Sequence, residues 1–183
     1  MRSILLVCLI ATAYAGICPS NGGMNDQIRQ KFLDVHNELR SLVANGKAKD
    51  GYGDYAPRAA AMNKLHSNTK GLGENIYMSS AAYDPVKAAE DASRSWFGEL
   101  AQKGVGKDLT FSMKLFNNHV GHYTQMVWQS TKVIGCAVQS CPKMSLAVCN
   151  YKEAGNMLNA KIYETGTPCS KCPGGCSEGL CVV

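Results

Sequence analysis

The sequence predicts a mixed α+β domain stapled by disulfides, and three observations carry that expectation. Residues 26–45 and 85–102 repeat their apolar positions at helical spacing. Residues 133–139 and 144–151 are Val/Ile-rich runs that read as two strands, joined by a short loop at Cys141-Pro142. Residues 166–183 then change character, setting Cys169, Cys172, Cys176 and Cys181 among glycines and a proline. At 183 residues, 45% hydrophobic and 18% charged, the chain suits one core of ordinary size and is too apolar for a disordered tail.

Residues 1–15 are expected to be a signal peptide rather than part of the fold. Arg2 precedes an apolar stretch, Ile4 to Ala11, and Ala13-Tyr14-Ala15 supplies the small-x-small pattern for cleavage before Gly16. That stretch is far shorter than the roughly 20 apolar residues of a membrane span, and no later one is longer, so no transmembrane segment is expected. Secretion removes Cys8 from the nine cysteines. It leaves Cys18, Cys136, Cys141, Cys149, Cys169, Cys172, Cys176 and Cys181, an even set that reads as a disulfide framework of open connectivity. The formal charge of +5, reduced by one with Arg2, is spread without a Lys/Arg run, which argues against a nucleic-acid partner.

The first helix starts at an Asp26 cap and buries Ile28, Phe32, Val35, Leu39 and Leu42/Val43 before Asn45-Gly46 stops it. Residues 46–64 are Gly/Ala-rich and hold too little large apolar content to anchor much core. In the second helix Asp84 caps, Pro85 takes the first position and Gly104 terminates. Its buried stripe is Val86, Ala89, Ser93, Trp96 and Leu100, with Glu99 projecting from the same side as Trp96. The period of Gly121 to Trp128 fits helix and strand equally, and the two strands should form an antiparallel hairpin. The four tail cysteines read as a small knotted appendage. Its CxxC also fits a zinc knuckle or redox pair, but an oxidising compartment favours structural disulfides.

The most specific string is Gly121-His122-Tyr123-Thr124-Gln125-Met126-Val127-Trp128-Gln129-Ser130-Thr131. It resembles the GHYTQxVWxxT signature of the CAP superfamily, which unites cysteine-rich secretory, antigen 5 and pathogenesis-related class 1 proteins. Residues 149–157 (CNYKEAGNM), 73–77 (GENIY), Trp96 to Glu99 (WxxE) and 32–40 (FLDVHNELR) resemble further motifs of that family, in family order. Glu153 stands where the family carries a small residue or proline. The resemblance is nearest to the nematode activation-associated secreted, venom-allergen-like proteins, which share a short Cys-rich tail. It implies a three-layer α-β-α sandwich, a CAP (SCP) domain over residues 16–165, a hinge-like tail over 166–183, and a short helix for GHYTQ.

The resemblance also implies a cleft lined by two histidines and two glutamates: His122, Glu74, Glu99 and His66. Such a set could hold a divalent cation such as zinc, or form a hydrogen-bonded polar cluster that ties loops together. Between Leu65 and His66, however, a YDCxxExxA-type helix of the family is skipped, about 20 residues or roughly five turns. Two cysteines go with it, so up to two others, Cys18 among them, are expected to lack partners. The same gap argues for His66 on an exposed, rerouted loop. His36 and His119 match no member of the quartet and are expected to be structural or exposed.

Three classes of function remain. The chain carries no HExxH and no GxSxG, so the reading is a non-enzymatic secreted effector, acting on an extracellular host protein or a lipid as a monomer or weak dimer. No cofactor is required in that reading. Leu109, Phe111, Met113, Leu115 and Phe116, just before GHYTQ, form a candidate lipid loop or else plain core. The alternatives are a metal-dependent or Ser/His hydrolase using Ser67, and a poorly folded deletion variant without independent activity.

Overall fold

In a computed structural model the chain is described over residues 24–67, 73–81 and 84–182. The leader segment, Gly16 and Cys18 lie outside these residues. Helix α1, Asp26–Ala44, is capped by Asn25 rather than Asp26: the Asn25 side chain accepts from the Ile28 amide. Asp26 sits one position too far in and pairs instead with Arg29 at 2.9 Å on the surface. Strands β1 (His66–Ser67) and β2 (Gly73–Ser79) follow, then helix α2, Pro85–Lys103. Here Asp84 does accept from the amides of Val86 and Lys87, and Gly104, at φ 75°, closes the helix. Helices α3 (Met113–Asn117) and α4 (Gly121–Met126) lead into the hairpin β3 (Val133–Cys141) and β4 (Met144–Lys152). The small tail hairpin is β5 (Cys176–Ser177) with β6 (Leu180–Cys181).

The sheet order is β1-β3-β4-β2, with β2, β4 and β3 antiparallel and β1 parallel to β3. The fold is therefore mixed α+β. Side chains alternate faces along a strand, so the register divides the sheet into two surfaces. Asn75, Tyr77, Ile134, Val138, Ala147, Cys149 and Tyr151 share the face that meets the helices, where they join Phe32, Leu39, Trp96 and Leu100 in the core. Of the stripe expected on α2, Ala89, Ser93, Trp96 and Leu100 are buried and Val86 is half-buried.

The junction of Leu65 and His66, where the family resemblance implies a further helix, is closed. Leu65 is buried, and its amide and carbonyl are both taken by the Asn37 side chain, at 2.8 and 3.0 Å. The Lys64 amide donates to Cys181 and the His66 amide to Lys132, so the chain passes into β1 with its backbone satisfied. Residues 46–64 contribute more core than their composition promised. Ala48, Ala56, Ala59, Ala60 and Met62 are buried, because small side chains let this segment lie close against α1 and the tail.

The cysteine framework also corrects the sequence reading. Cys136 pairs with Cys149 across the β3–β4 hairpin, Cys169 with Cys176, and Cys172 with Cys181, and Cys141 is disulfide-bonded as well. All seven described cysteines are thus bridged, and the expected orphans are not found among them. The CxxC pair, Cys169 and Cys172, is split between two bridges. Leu180 and Cys181 are buried, and the Glu178 carbonyl accepts from Ser41 and Asn45, so the tail hairpin is packed onto α1.

Candidate functional site

The site is built around one six-residue helix, α4, and each sequence motif supplies one tether to it. From WxxE, Glu99 places one carboxylate oxygen 2.6 Å from His122 Nδ1 and accepts the Tyr123 amide on the other at 2.9 Å. From GENIY, Asn75 donates to the His122 carbonyl at 3.1 Å. From the CNY string, Asn156 donates to the Gly121 carbonyl and accepts from the Thr124 hydroxyl at 2.6 Å. The imidazole of His122 stacks on Trp96 with rings 19° from parallel, and the Trp96 indole N–H donates to the Ile76 carbonyl.

Two glycines let these strings close on α4. A Cβ on Gly73 would collide with Gln125 Oε1, and one on Gly155 would meet the Trp128 ring at 2.8 Å. The same Gln125 oxygen accepts the Gly155 amide at 2.8 Å. Residues outside the expected quartet hold the helix from behind. Arg40 is fully buried, and its guanidinium donates to the carbonyls of Asn63, Met126, Trp128 and Thr131. With no carboxylate on it, burial lowers its pKa to about 9. His36 lies one turn earlier on the same ridge, bridging the Phe32 carbonyl and the Tyr151 hydroxyl; its burial lowers the pKa to about 3 and keeps it neutral. The sequence carried this signal. Phe32, His36 and Arg40 are spaced by four on the apolar face of α1, and polarity alone hid the last two.

A cleft of about 500 Å³ opens beside α4, lined by Glu74, Asn75, Glu99, Phe116, Asn117, His119, Gly121, His122 and Asn156. Three of the four expected residues line it. His66 does not: it lies exposed on β1, while Glu74 is on β2, and these are opposite edges of the sheet. Three inter-strand steps of about 4.8 Å separate them. The second histidine along the cleft is His119, which the motif comparison passed over. Glu74 borders the cleft but follows the strand alternation away from Asn75, and its carboxylate accepts from Asn150 across the sheet at 3.1 Å. Ser67 lies on β1 beside His66, where successive side chains point to opposite faces, so the two do not form a nucleophile–base pair.

Metal binding was one reading of the quartet. Glu99 holds His122 at Nδ1 and leaves its Nε2 free, but the Glu74 carboxylate is engaged by Asn150 and His66 stands apart. Among the described residues no group of three His, Cys, Asp or Glu side chains converges on a point that could hold an ion. The donor set present does not fit a tetrahedral zinc centre, which takes four ligands or three and a water.

The candidate lipid segment divides in two. Leu109, Phe111 and Leu115 are buried core, whereas Met113 and Phe116 are 52% and 58% exposed, Phe116 on the cleft wall. Met157 and Leu158 are also exposed, next to Asn156 in the chain. Among the described residues no helix is long and apolar enough to cross a membrane.

This architecture, with four motifs gathered on one short helix and a disulfide-bridged tail, defines a class of disulfide-stabilised α+β domains. The model of the cysteine-rich secretory protein family, CAP, matches residues 33–151, and the chain belongs to that family. It is 43% identical to the Ancylostoma secreted protein of Ancylostoma caninum over 90% of its own length and 46% of that protein's, so it spans under half of this relative. The solved structure "Crystal structure of NaASP2 with Zn2+" matches with a TM-score of 0.83 at 49% identity, over 90% of this chain and 99% of that one. The structure of BmVAL-1 matches with a TM-score of 0.81 at 30% identity, over 91% and 98%. The alignment to the Ancylostoma protein runs over 195 positions, more than the 183 residues present here, so that relative carries residues this chain lacks.

Proposed function

We infer that the protein is secreted and works outside the cell as a non-enzymatic binding protein, an effector whose cleft and apolar rim receive a lipid or an extracellular host protein. The observation that carries this reading is the chemistry of the cleft lining. Glu99 turns one carboxylate oxygen to His122 and accepts the Tyr123 amide on the other, so it orients α4. The described residues lining the cleft include no hydroxyl or thiol nucleophile. What the cleft offers is recognition: amides at Asn75, Asn117 and Asn156, imidazoles at His119 and His122, and an aromatic wall at Phe116. The exposed Met113 and Phe116 extend that wall with apolar surface suited to an acyl chain or sterol. A secreted location agrees with the disulfides and with the leader pattern of residues 1–15, and the named relative is itself a secreted protein.

The test is to express the full chain with its leader in eukaryotic cells, purify it from the medium, and titrate it with a fluorescent sterol and a fluorescent fatty acid. Saturable binding of one of them, weakened at least tenfold by Phe116→Asp with Met113→Asp, is the expected result. Both substituted side chains are exposed, so the fold should be retained. Unchanged binding in that variant would remove the rim from the account. Substrate turnover abolished by His122→Ala would overturn the non-enzymatic reading altogether.

A further inference from the structure

Exposed apolar surface gathers at one mouth of the cleft. Among the described residues ten large hydrophobic side chains are exposed, and four of them, Met113, Phe116, Met157 and Leu158, come from two short segments that lie side by side. The backbone joins these segments. The Phe111 amide donates to the Ala160 carbonyl and the Asn159 amide to the Phe111 carbonyl, with Thr110 opposite Lys161. Continued by two residues, that antiparallel pairing brings Leu158 beside Met113. Phe116 follows Met113 by three residues on α3, so the two share a side, and Phe116 and Asn156 line the cleft together. Each of the four is 52% or 58% exposed. Scattered singly, such side chains are ordinary; four around one opening mark an interaction surface.

We propose that this rim docks the protein on the surface of an anionic lipid bilayer, its four apolar side chains entering the headgroup region and Lys103 and Lys114 lying against the lipid phosphates. The charge beside the rim selects that occupant. Lys114 stands on α3 between Met113 and Phe116, and Lys103 ends α2, where its carbonyl accepts from the Asn118 side chain at 3.2 Å. Both lysines are exposed, and neither has an ion-pair partner among the described residues. From Leu109 to His122, and again from Ala154 to Ile162, there is no Asp or Glu. The carboxylates around these segments are engaged: Asp108 pairs with Lys161 at 2.8 Å, Glu99 turns onto α4, and Glu74 accepts from Asn150.

A bilayer fits these residues better than a protein does. Protein interfaces are depleted in lysine and anchored by Trp, Tyr and Arg, and neither segment carries any of those three. Apolar side chains flanked by unpaired lysines are instead the pattern of an interfacial anchor, whose hold combines buried apolar area with attraction to anionic headgroups. The rim also borders the cleft read above as a lipid site, so docking would hold that cleft at the boundary between membrane and water. Bilayer docking goes beyond the uptake of a single lipid, and the two are measured separately.

The probe is unilamellar vesicles, of phosphatidylcholine alone or with about 30% phosphatidylserine, floated with the full secreted chain. The expected result is partition onto the mixed vesicles about tenfold above that onto the neutral ones, falling as salt rises. Lys103→Gln with Lys114→Gln should lower it by about tenfold or more, since each lysine at an anionic surface contributes about fivefold. Met157→Ser with Leu158→Ser keeps the charge and should lower it by about fivefold or more through lost apolar area. All four side chains are exposed, so circular dichroism and melting temperature should stay as in the parent. Absence of partition onto the mixed vesicles, or partition indifferent to either pair of substitutions, would overturn the proposal. Sedimentation velocity closes the other route: a chain that ignores vesicles and self-associates through Met157 and Leu158 would make the rim a protein interface and sink the bilayer assignment. The titration with fluorescent lipids contains no vesicles and reports on the cleft, so failure of one reading leaves the other standing.

Discussion

At the residue scale, the buried polar groups behind α4 make the sharpest demands. His36 is neutral in the fold with a pKa lowered to about 3, against 6.5 when exposed. The unfolded chain therefore takes up the proton first. His36 imposes no penalty above pH 6.5, and stability is lost as the pH falls from 6.5 toward 3, by about 1.4 kcal/mol per unit for this one group. Urea titrations between pH 7 and 4 should show that slope, and His36→Gln, though less stable at pH 7, should lack this part of it. An unaltered slope in the variant would mean that other groups set the acid limit. Glu99→Ala should cost about 1–3 kcal/mol, read as a lowered melting temperature, because it frees a buried amide and unseats His122. Glu99 was legible in the sequence through its spacing from Trp96. His36 and Arg40 were not, because a periodicity search for apolar residues skips a buried imidazole and guanidinium even when they sit on the right ridge.

Among the elements, the helices were the most readable, since α1 and α2 each carry a stripe, a cap and a stop in the chain itself. Strand β2 was not read as a strand. Its alternation is Asn75 and Tyr77 against Ile76 and Met78, polar or aromatic on the buried side and aliphatic on the other, the reverse of the usual pattern. The period of α4 was ambiguous, because six residues are too few to separate a helical period from an alternating one, and the family resemblance alone implied a short helix there. It is held by tethers from three distant motifs. Its dependence on close packing makes Gly155→Ala informative. The added methyl group would press on the Trp128 ring, with an expected loss of about 1–3 kcal/mol, measured by thermal unfolding. Arg40→Met should cost more, about 3–5 kcal/mol, since it strands four backbone carbonyls at once, and it should lower the secreted yield accordingly.

For the whole molecule, the junction of Leu65 and His66, where the family resemblance implies a further helix, is the defining feature. The chain closes there through Asn37, Cys181 and Lys132, and the fold matches NaASP2 and BmVAL-1 at TM-scores of 0.83 and 0.81. The motif order made the family legible from sequence. His66 was expected on an exposed loop and is exposed, but its place on edge strand β1 depended on a strand order that no motif encodes, while Glu74, Glu99 and His122 line one cleft. The tail contributes to the same closure. Cys172→Ser with Cys181→Ser should loosen it at a cost of about 2–3 kcal/mol, visible as faster exchange of the Lys64 amide with deuterium.

The central claim is that this CAP-family chain is secreted, closes its disulfide framework and works by binding. The most direct measurement is the intact mass of protein purified from the medium of eukaryotic cells, after alkylation in denaturant without reductant. The account predicts a monomer beginning at Gly16 with no alkylated cysteine. Two or more alkylated cysteines, or mixed disulfide oligomers, would mean that the framework is open and would contradict it.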